Sequence, residues 1–207
     1  MPLVYQQNIN ATTKLGVWEI TETEDFFLKK VAVQREIAHP HKRLQHLAGR
    51  YLLKMLYPDF PVELIMIADT RKPFLPEEEY HFSISHCRNY AAVIISKDHR
   101  VGVDIEMINE KIERIIHKFL SAQEQEMLKN DSVNRVATLL WSVKESIFKW
   151  FGNGEVDFKK HMHIKRIEAT GNRIAEVDFL KNNTLRLEVN FLPFEDHFLS
   201  WIVTEIK

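Results

Sequence analysis

The sequence predicts an α+β protein of two packed lobes with a boundary near residue 100. Three observations carry that expectation. Apolar residues recur at helical spacing after Pro40, and again from about residue 110 to 151. Each helical stretch neighbours several short runs that read as strands. No Ser/Gly-rich linker or low-complexity segment separates the halves, which are similar in size and element content.

The elements follow in chain order. Leu44, Leu47, Ala48, Tyr51, Leu52, Met55 and Leu56 mark the first helix, which Pro58 and Pro61 close. VELIMIAD then reads as a strand, and DTRKPFLPEEE as a loop stiffened by Pro73 and Pro76. YHFSIS and YAAVIIS form a hairpin through HCRN, and KDHR turns the chain into the strand VGVDIE. Ser121 and Glu124 have capping-box spacing, so a helix starts there. A longer helix runs from Asp131 or Ser132 to Gly152, a residue suited to the C-cap. The tail alternates as strands near 161–169, 173–180, 184–191 and 197–206.

At 45% apolar and 28% charged, the 207 residues are ordinary for a globular protein. The 28 basic and 29 acidic side chains nearly cancel, so no global field favours nucleic acid or an anionic membrane. Cys87 is the only cysteine, which excludes an internal disulfide, a zinc knuckle and a CxxC redox pair. No apolar run reaches the roughly 18 residues that would span a bilayer. The opening residues carry no basic segment followed by an apolar one, and a reducing, cytoplasmic location is expected.

Candidate chemistry lies in WSVKESIFKW, residues 141–150, where Lys144, Glu145 and Lys149 stand among large apolar side chains. On a helix turning about 100° per residue, Val136, Leu140, Val143, Ile147 and Trp150 share the core-facing stripe. Trp141, Glu145, Phe148 and Lys149 fall on the opposite side, and its aromatic content predicts that this side is covered too, by a ligand or by the other lobe. Glu145 and Lys149 are i,i+4 neighbours. By itself such a pair reads as an exposed helix salt bridge.

In VGVDIE, Val101, Val103 and Ile105 face one way and Asp104 and Glu106 the other, with Gly102 on the acidic face. Those carboxylates lie about 7 Å apart along a strand. They are either a solvent-facing edge or a hard-oxygen set suited to Mg²⁺, which also takes phosphate oxygens. Arg43, Arg50, Lys72 and the pair Ser85-His86 could receive phosphates. No Walker loop, GxGxxG or HExxH accompanies them.

These residues together resemble the 4'-phosphopantetheinyl transferase superfamily, in its two-lobed Sfp-type branch. VGVDIE matches the family's hydrophobic-Gly-hydrophobic-Asp-hydrophobic-Glu signature, and WSVKESIFK matches Trp/Phe-x-x-Lys-Glu-Ala/Ser-x-x-Lys. FSISH supplies a Ser-His pair ending a strand, and Lys72-Pro73 precedes it, with Arg71 where the family often has Gly. The likeness is carried by about residues 40–150.

The resemblance implies two lobes related by a pseudo-two-fold, with the active site in the cleft between them. A lobe of residues 1–99 would hold the 3'-phosphoadenosine end of coenzyme A, and a lobe of residues 100–207 the metal and the chemistry. The implied reaction transfers 4'-phosphopantetheine from coenzyme A to a serine of an apo acyl or peptidyl carrier protein, releasing adenosine 3',5'-bisphosphate. No activated nucleophile is needed on this chain, because the attacking hydroxyl arrives on the carrier. Asp104, Glu106 and Glu145 would hold Mg²⁺, and Glu145 would take the serine proton. Lys149 and Lys144 would contact phosphate, and Lys149 would support the leaving group. Lys72, Ser85 and His86 would hold the nucleotide end, helped by Arg43 or Arg50. Trp141 is expected to pack. A monomer is implied, since two lobes in one chain complete the site. Two alternatives stay open: another Mg²⁺-dependent nucleotide phosphoryl transferase or pyrophosphatase, and a non-catalytic coenzyme A or carrier-binding module.

Overall fold

The first forty residues, to which the sequence pattern assigns no element, fold as two strands and a short helix in the computed structural model, which describes residues 2–32, 36–130 and 132–206. The chain divides into two compact units, Met1–Val103 with Val203–Lys207, and Asp104–Ile202.

The first unit opens with β1 (Leu3–Asn8), β2 (Thr13–Glu19) and helix α1 (Glu24–Leu28). β1 is largely exposed and polar, and β2 is buried along most of its length, so neither shows the clean alternation that marks a half-buried strand. Helix α2 (Pro40–Leu56) starts with Pro40 in its first turn and ends two residues before Pro58. Its apolar stripe buries Leu47, Ala48, Leu52, Leu53 and Leu56 against Trp18, Phe60, Phe82, Val93 and Ile95.

VELIMIAD departs from expectation. Val62–Leu64 form a 3-10 turn, and only Met66–Ile67 extend as β3, paired with β4 (Pro73–Phe74). The buried residues are Val62 and Ile65, and a three-residue spacing suits a 3-10 turn after Pro61 where a strand would need a spacing of two. The predicted hairpin forms as β5 (His81–Cys87) and β6 (Tyr90–Ser96), with Cys87 opposite Tyr90. The four-stranded antiparallel sheet runs β1-β2-β6-β5. Gly49 lets α2 approach it closely, since a Cβ there would come within 2.9 Å of Ile84 Cγ2.

Strand β7 (His99–Met107) carries VGVDIE, and the division between units falls inside it. Beyond it lie a 3-10 segment at Glu110–Ile115 and helices α3 (Ile116–Phe119), α4 (Ala122–Gln125) and α5 (Val133–Phe151). The capping box forms as predicted: Ser121 accepts from Glu124 N, and the Glu124 carboxylate accepts from Ser121 N. Helix α5 takes Ser132 as N-cap, while Asp131, the other expected start, lies outside the described residues. Gly152 closes it in the left-handed region at φ 73°, its N–H bonded to Phe148 O.

Short helix α6 (Phe158–His161) leads into β8 (Met162–Glu168), β9 (Ile174–Phe179), β10 (Leu185–Phe194) and β11 (His197–Glu205). These follow the expected tail alternation closely and form a sheet ordered β7-β11-β10-β9-β8. Leu140, Val143, Ile147 and Trp150 of α5 are buried on the core of this unit with Val177, Val189, Phe191 and Ile202. Each unit thus pairs a long helix with an antiparallel sheet, the α+β class that the sequence predicts. Among the described residues, no helix is long and apolar enough to cross a membrane.

Candidate active site

The second unit gathers both signatures. Asp104 and Glu106 share one face of β7, and Trp141, Glu145 and Lys149 follow one another at i,i+4 spacing along α5. Asp104 is 1% exposed, which rules out the solvent-facing edge, while Glu106, Glu145 and Lys149 are half-buried. Lys149 Nζ donates to Asp104 Oδ1 at 2.6 Å, tying helix to strand. So Lys149 is no exposed helix salt bridge to Glu145. Its hydrogen-bonded ion partner is on the strand.

The carboxylates act on one another electrostatically. Burial pushes Glu106 up to about 7, with Asp104 and Glu145 adding repulsion and Lys149 and a hydrogen bond from Trp141 opposing it. Glu145 is likewise pushed up to about 7, by burial and then by Asp104, with Lys149 opposing. Desolvated, mutually repelling oxygen donors are the chemistry that a hard divalent cation relieves. As they stand, no three His, Cys, Asp or Glu side chains among the described residues are gathered closely enough to enclose a metal.

Lys144 corrects the sequence expectation. It does not face phosphate. Its side chain has no exposed surface, and its Nζ reaches Glu124 Oε1 at 2.7 Å, Phe119 O at 2.8 Å and Phe158 O at 3.1 Å. Three protein oxygens use the three N–H donors of the ammonium. Glu124 is equally committed: it caps α4 through Ser121 N and accepts from Ile164 N of β8 at 2.9 Å. The buried pair therefore joins α3, α4, α5, α6 and β8.

The aromatic side of α5 is covered, but where a ligand or the other lobe was expected, Phe119 and Phe158 of this unit supply cover. Trp141 stands edge-on to Phe119 with ring centroids 5.0 Å apart and tilts on Phe158 at 5.3 Å, while Phe148 also meets Phe158. Trp141 packs as expected.

The other candidates belong to the first unit. Ser85 is buried and His86 exposed, as neighbours on opposite faces of β5. Lys72 is half-buried, and burial followed by the nearby Arg100 pushes its ammonium down to about 8, with Glu78 opposing. Both arginines of α2 have protein partners. Arg43 grips Glu24 through Nε at 2.7 Å and Nη2 at 2.9 Å, and donates to Ile37 O. Arg50 is 5% exposed, with Nη1 donating to His46 Nδ1 at 3.1 Å.

A β-strand acidic pair and a helical Glu and Lys thus belong to one electrostatic cluster. Comparison with known proteins places a family match on the same region. The model of the 4'-phosphopantetheinyl transferase superfamily matches residues 100–200, the stretch that contains Asp104, Glu106, Glu145 and Lys149. Through this region the chain is similar to that superfamily. Enterobactin synthase component D of Salmonella typhi is 32% identical over 117 residues, which cover 54% of this chain and 49% of that protein. The 4'-phosphopantetheinyl transferase gsp of Aneurinibacillus migulanus is 34% identical over 113 residues, 52% of this chain and 46% of that protein. Enterobactin synthase component D of Escherichia coli (strain K12) is 30% identical over 121 residues, 56% of this chain and 58% of its length. The chain thus spans about half the length of the first two of these curated relatives.

Proposed function

We propose that this protein transfers 4'-phosphopantetheine from coenzyme A to a serine of an apo acyl or peptidyl carrier protein. The observation that carries the reading is the joining of both signatures at one cluster, with Lys149 Nζ 2.6 Å from Asp104 Oδ1 and Glu106 and Glu145 coupled to the same carboxylate. The family of the matched region supports it.

Asp104, Glu106 and Glu145 are the residues that would hold Mg²⁺, and their repulsion is what the ion relieves. When bound, the ion supplies Lewis-acid stabilisation of pyrophosphate charge. The chain's own groups supply the rest. Glu145, kept ionised by a bound cation, takes the proton of the incoming serine hydroxyl near neutral pH. The serine oxygen forms a bond to the β-phosphorus, and the bond from that phosphorus to the departing adenosine 3',5'-bisphosphate breaks. Lys149 brings its ammonium to the charge that accumulates on the leaving phosphate. In the first unit, Lys72, Ser85 and His86 bind the 3'-phosphoadenosine end, and an anion beside Lys72 offsets its repulsion with Arg100. Arg43 and Arg50 shape the fold through Glu24 and His46. The protein acts as a cytoplasmic monomer whose partners are coenzyme A and the carrier, with no role for nucleic acid or membrane.

The test is incubation with coenzyme A, Mg²⁺ and a panel of apo carriers from fatty acid, polyketide, peptide and lysine pathways, read by intact mass. Addition of a phosphopantetheinyl group to a carrier supports transfer. Nucleotide cleavage with every carrier unmodified sinks it in favour of hydrolysis.

A further inference from the structure

We propose that the groove beside the β3–β4 ribbon of the first unit is a docking site for a peptide segment of another protein, one that carries apolar side chains flanked by lysine or arginine. None of the residues concerned belongs to the carboxylate cluster or to the candidate coenzyme A contacts, so the inference stands apart from the transfer reading.

The starting point is a concentration of exposed apolar surface. Of the ten large apolar side chains left exposed among the described residues, four fall in one short stretch: Leu64, Met66, Ile67 and Phe74. Exposed apolar residues scattered singly are ordinary, whereas a patch around a concavity marks an interaction surface. Local geometry explains why these side chains do not fold away. The 3-10 turn after Pro61 directs Val62 and Ile65 inward, which leaves Leu64 outside. β3 and β4 pair only with each other, outside the four-stranded sheet, and Met66 stands opposite Phe74 on one face of that ribbon. A groove of about 390 Å³ opens beside them, lined by buried Ile65 and Leu75 and by exposed Leu64 and Met66.

Charge selects the occupant. Glu63, Glu77 and Glu79 also line the groove, and no basic side chain does. Glu63 borders a smaller cavity lined by Lys30 and Lys54 as well, so the excess negative charge rests chiefly on Glu77 and Glu79. Those two flank Glu78, whose N–H closes a turn onto Leu75 O at 3.2 Å with φ at 51°. Apolar walls with carboxylates beside them match a segment whose apolar side chains enter the groove while its cations meet the carboxylates. An acidic partner would meet repulsion there. So would a second copy docked through the same face, because a two-fold interface sets a patch against itself and brings these carboxylates together. A compact small molecule would leave Ile67 and Phe74 uncovered, since the apolar surface continues past the groove's lining onto both.

The test is fluorescence anisotropy of the full chain with two short fluorescein-labelled amphipathic peptides, one of leucine and lysine and one of leucine and glutamate. The leucine–lysine peptide is expected to bind about tenfold more tightly or better, with an advantage that shrinks as NaCl is raised. Two double variants locate the site. Glu77→Lys with Glu79→Lys, and Leu64→Ser with Met66→Ser, change exposed positions, so their denaturant midpoints stay close to the parent's. Each is expected to weaken binding of the leucine–lysine peptide by about tenfold or more. No binding of that peptide, equal binding of the two peptides, or an affinity unchanged in either variant overturns the proposal. So does a parent dimer in sedimentation that Leu64→Ser with Met66→Ser dissolves, since the face would then serve a second copy.

Discussion

Lys144 and Lys149 stand on one helix about 140° apart around its axis, and their surroundings are opposite. Lys144 is sealed in the second unit's interior against one carboxylate and two main-chain carbonyls. Lys149 keeps 26% of its side chain exposed and reaches a carboxylate within a group of three. The first ammonium is fully coordinated by protein and has no capacity left for a ligand. The second sits where bound phosphate and metal would redistribute its partners. Lys72 of the first unit is a third case: burial depresses its proton affinity, and the like charge of Arg100 depresses it further. Identical side chains thus divide into a structural tie, a member of the carboxylate cluster and a candidate anion contact. The lesson is that a charged residue's work is read from what completes its coordination.

The sharpest way to break this contrast is at Glu145, the carboxylate one helical turn before Lys149. Glu145→Gln is expected to lower transfer by about 10³-fold or more, as loss of a general base does, with coenzyme A Kd within about threefold of the parent. Single-turnover carrier modification and a binding titration check both halves. Parental turnover in this variant would remove Glu145 from the proton transfer.

Next in size is the structural lysine. Lys144→Met leaves Glu124 buried without its cation, although Ser121 N and Ile164 N still donate to it. The expected cost is about 3 kcal/mol, at the lower end for breaking a buried pair, read from chemical denaturation. The coenzyme A Kd of the folded variant stays within about threefold. An unchanged denaturation midpoint with a large loss of coenzyme A affinity would restore the phosphate contact that the signature implied.

The smallest effect belongs to Lys72. Its folded ammonium is pushed down to about 8, against the usual 10.5 of a lysine, so between those limits the unfolded chain holds a proton that the folded protein has lost. Stability therefore rises as pH increases through that window and is reduced below it. Lys72→Met removes this contribution. Its melting temperature is expected to exceed the parent's at pH 7 by on the order of 2 °C, and the gap closes by about pH 10. A constant gap across that range would show that burial, and not charge, sets the difference.

Much of this was legible in advance, and the failures are as informative as the successes. The helix after Pro40, the β5–β6 hairpin, the Ser121 capping box and the Gly152 terminus depend on chemistry within a few residues, and all form. Val62–Ile65 misled because an apolar run fits either a strand or a 3-10 turn, and Pro61 with the spacing of buried side chains selected the turn. Lys144 misled for a different reason. Its signature position suggested a ligand contact, whereas helical rotation alone had no means of naming Glu124 as its partner.

The sequence by itself determined which side chains share a face: Asp104 with Glu106 on a strand, Trp141 with Glu145 and Lys149 along a helix. Repeats of two and about 3.6 residues are local consequences of backbone geometry and need no knowledge of neighbours. Tertiary structure alone decided which faces meet. It brought Lys149 to Asp104 across 45 residues of chain, and Glu124 to Lys144 in the interior. Those meetings depend on how α3, α4, α5, α6 and β7 close around one core, where burial makes every charge seek a partner that no spacing rule specifies.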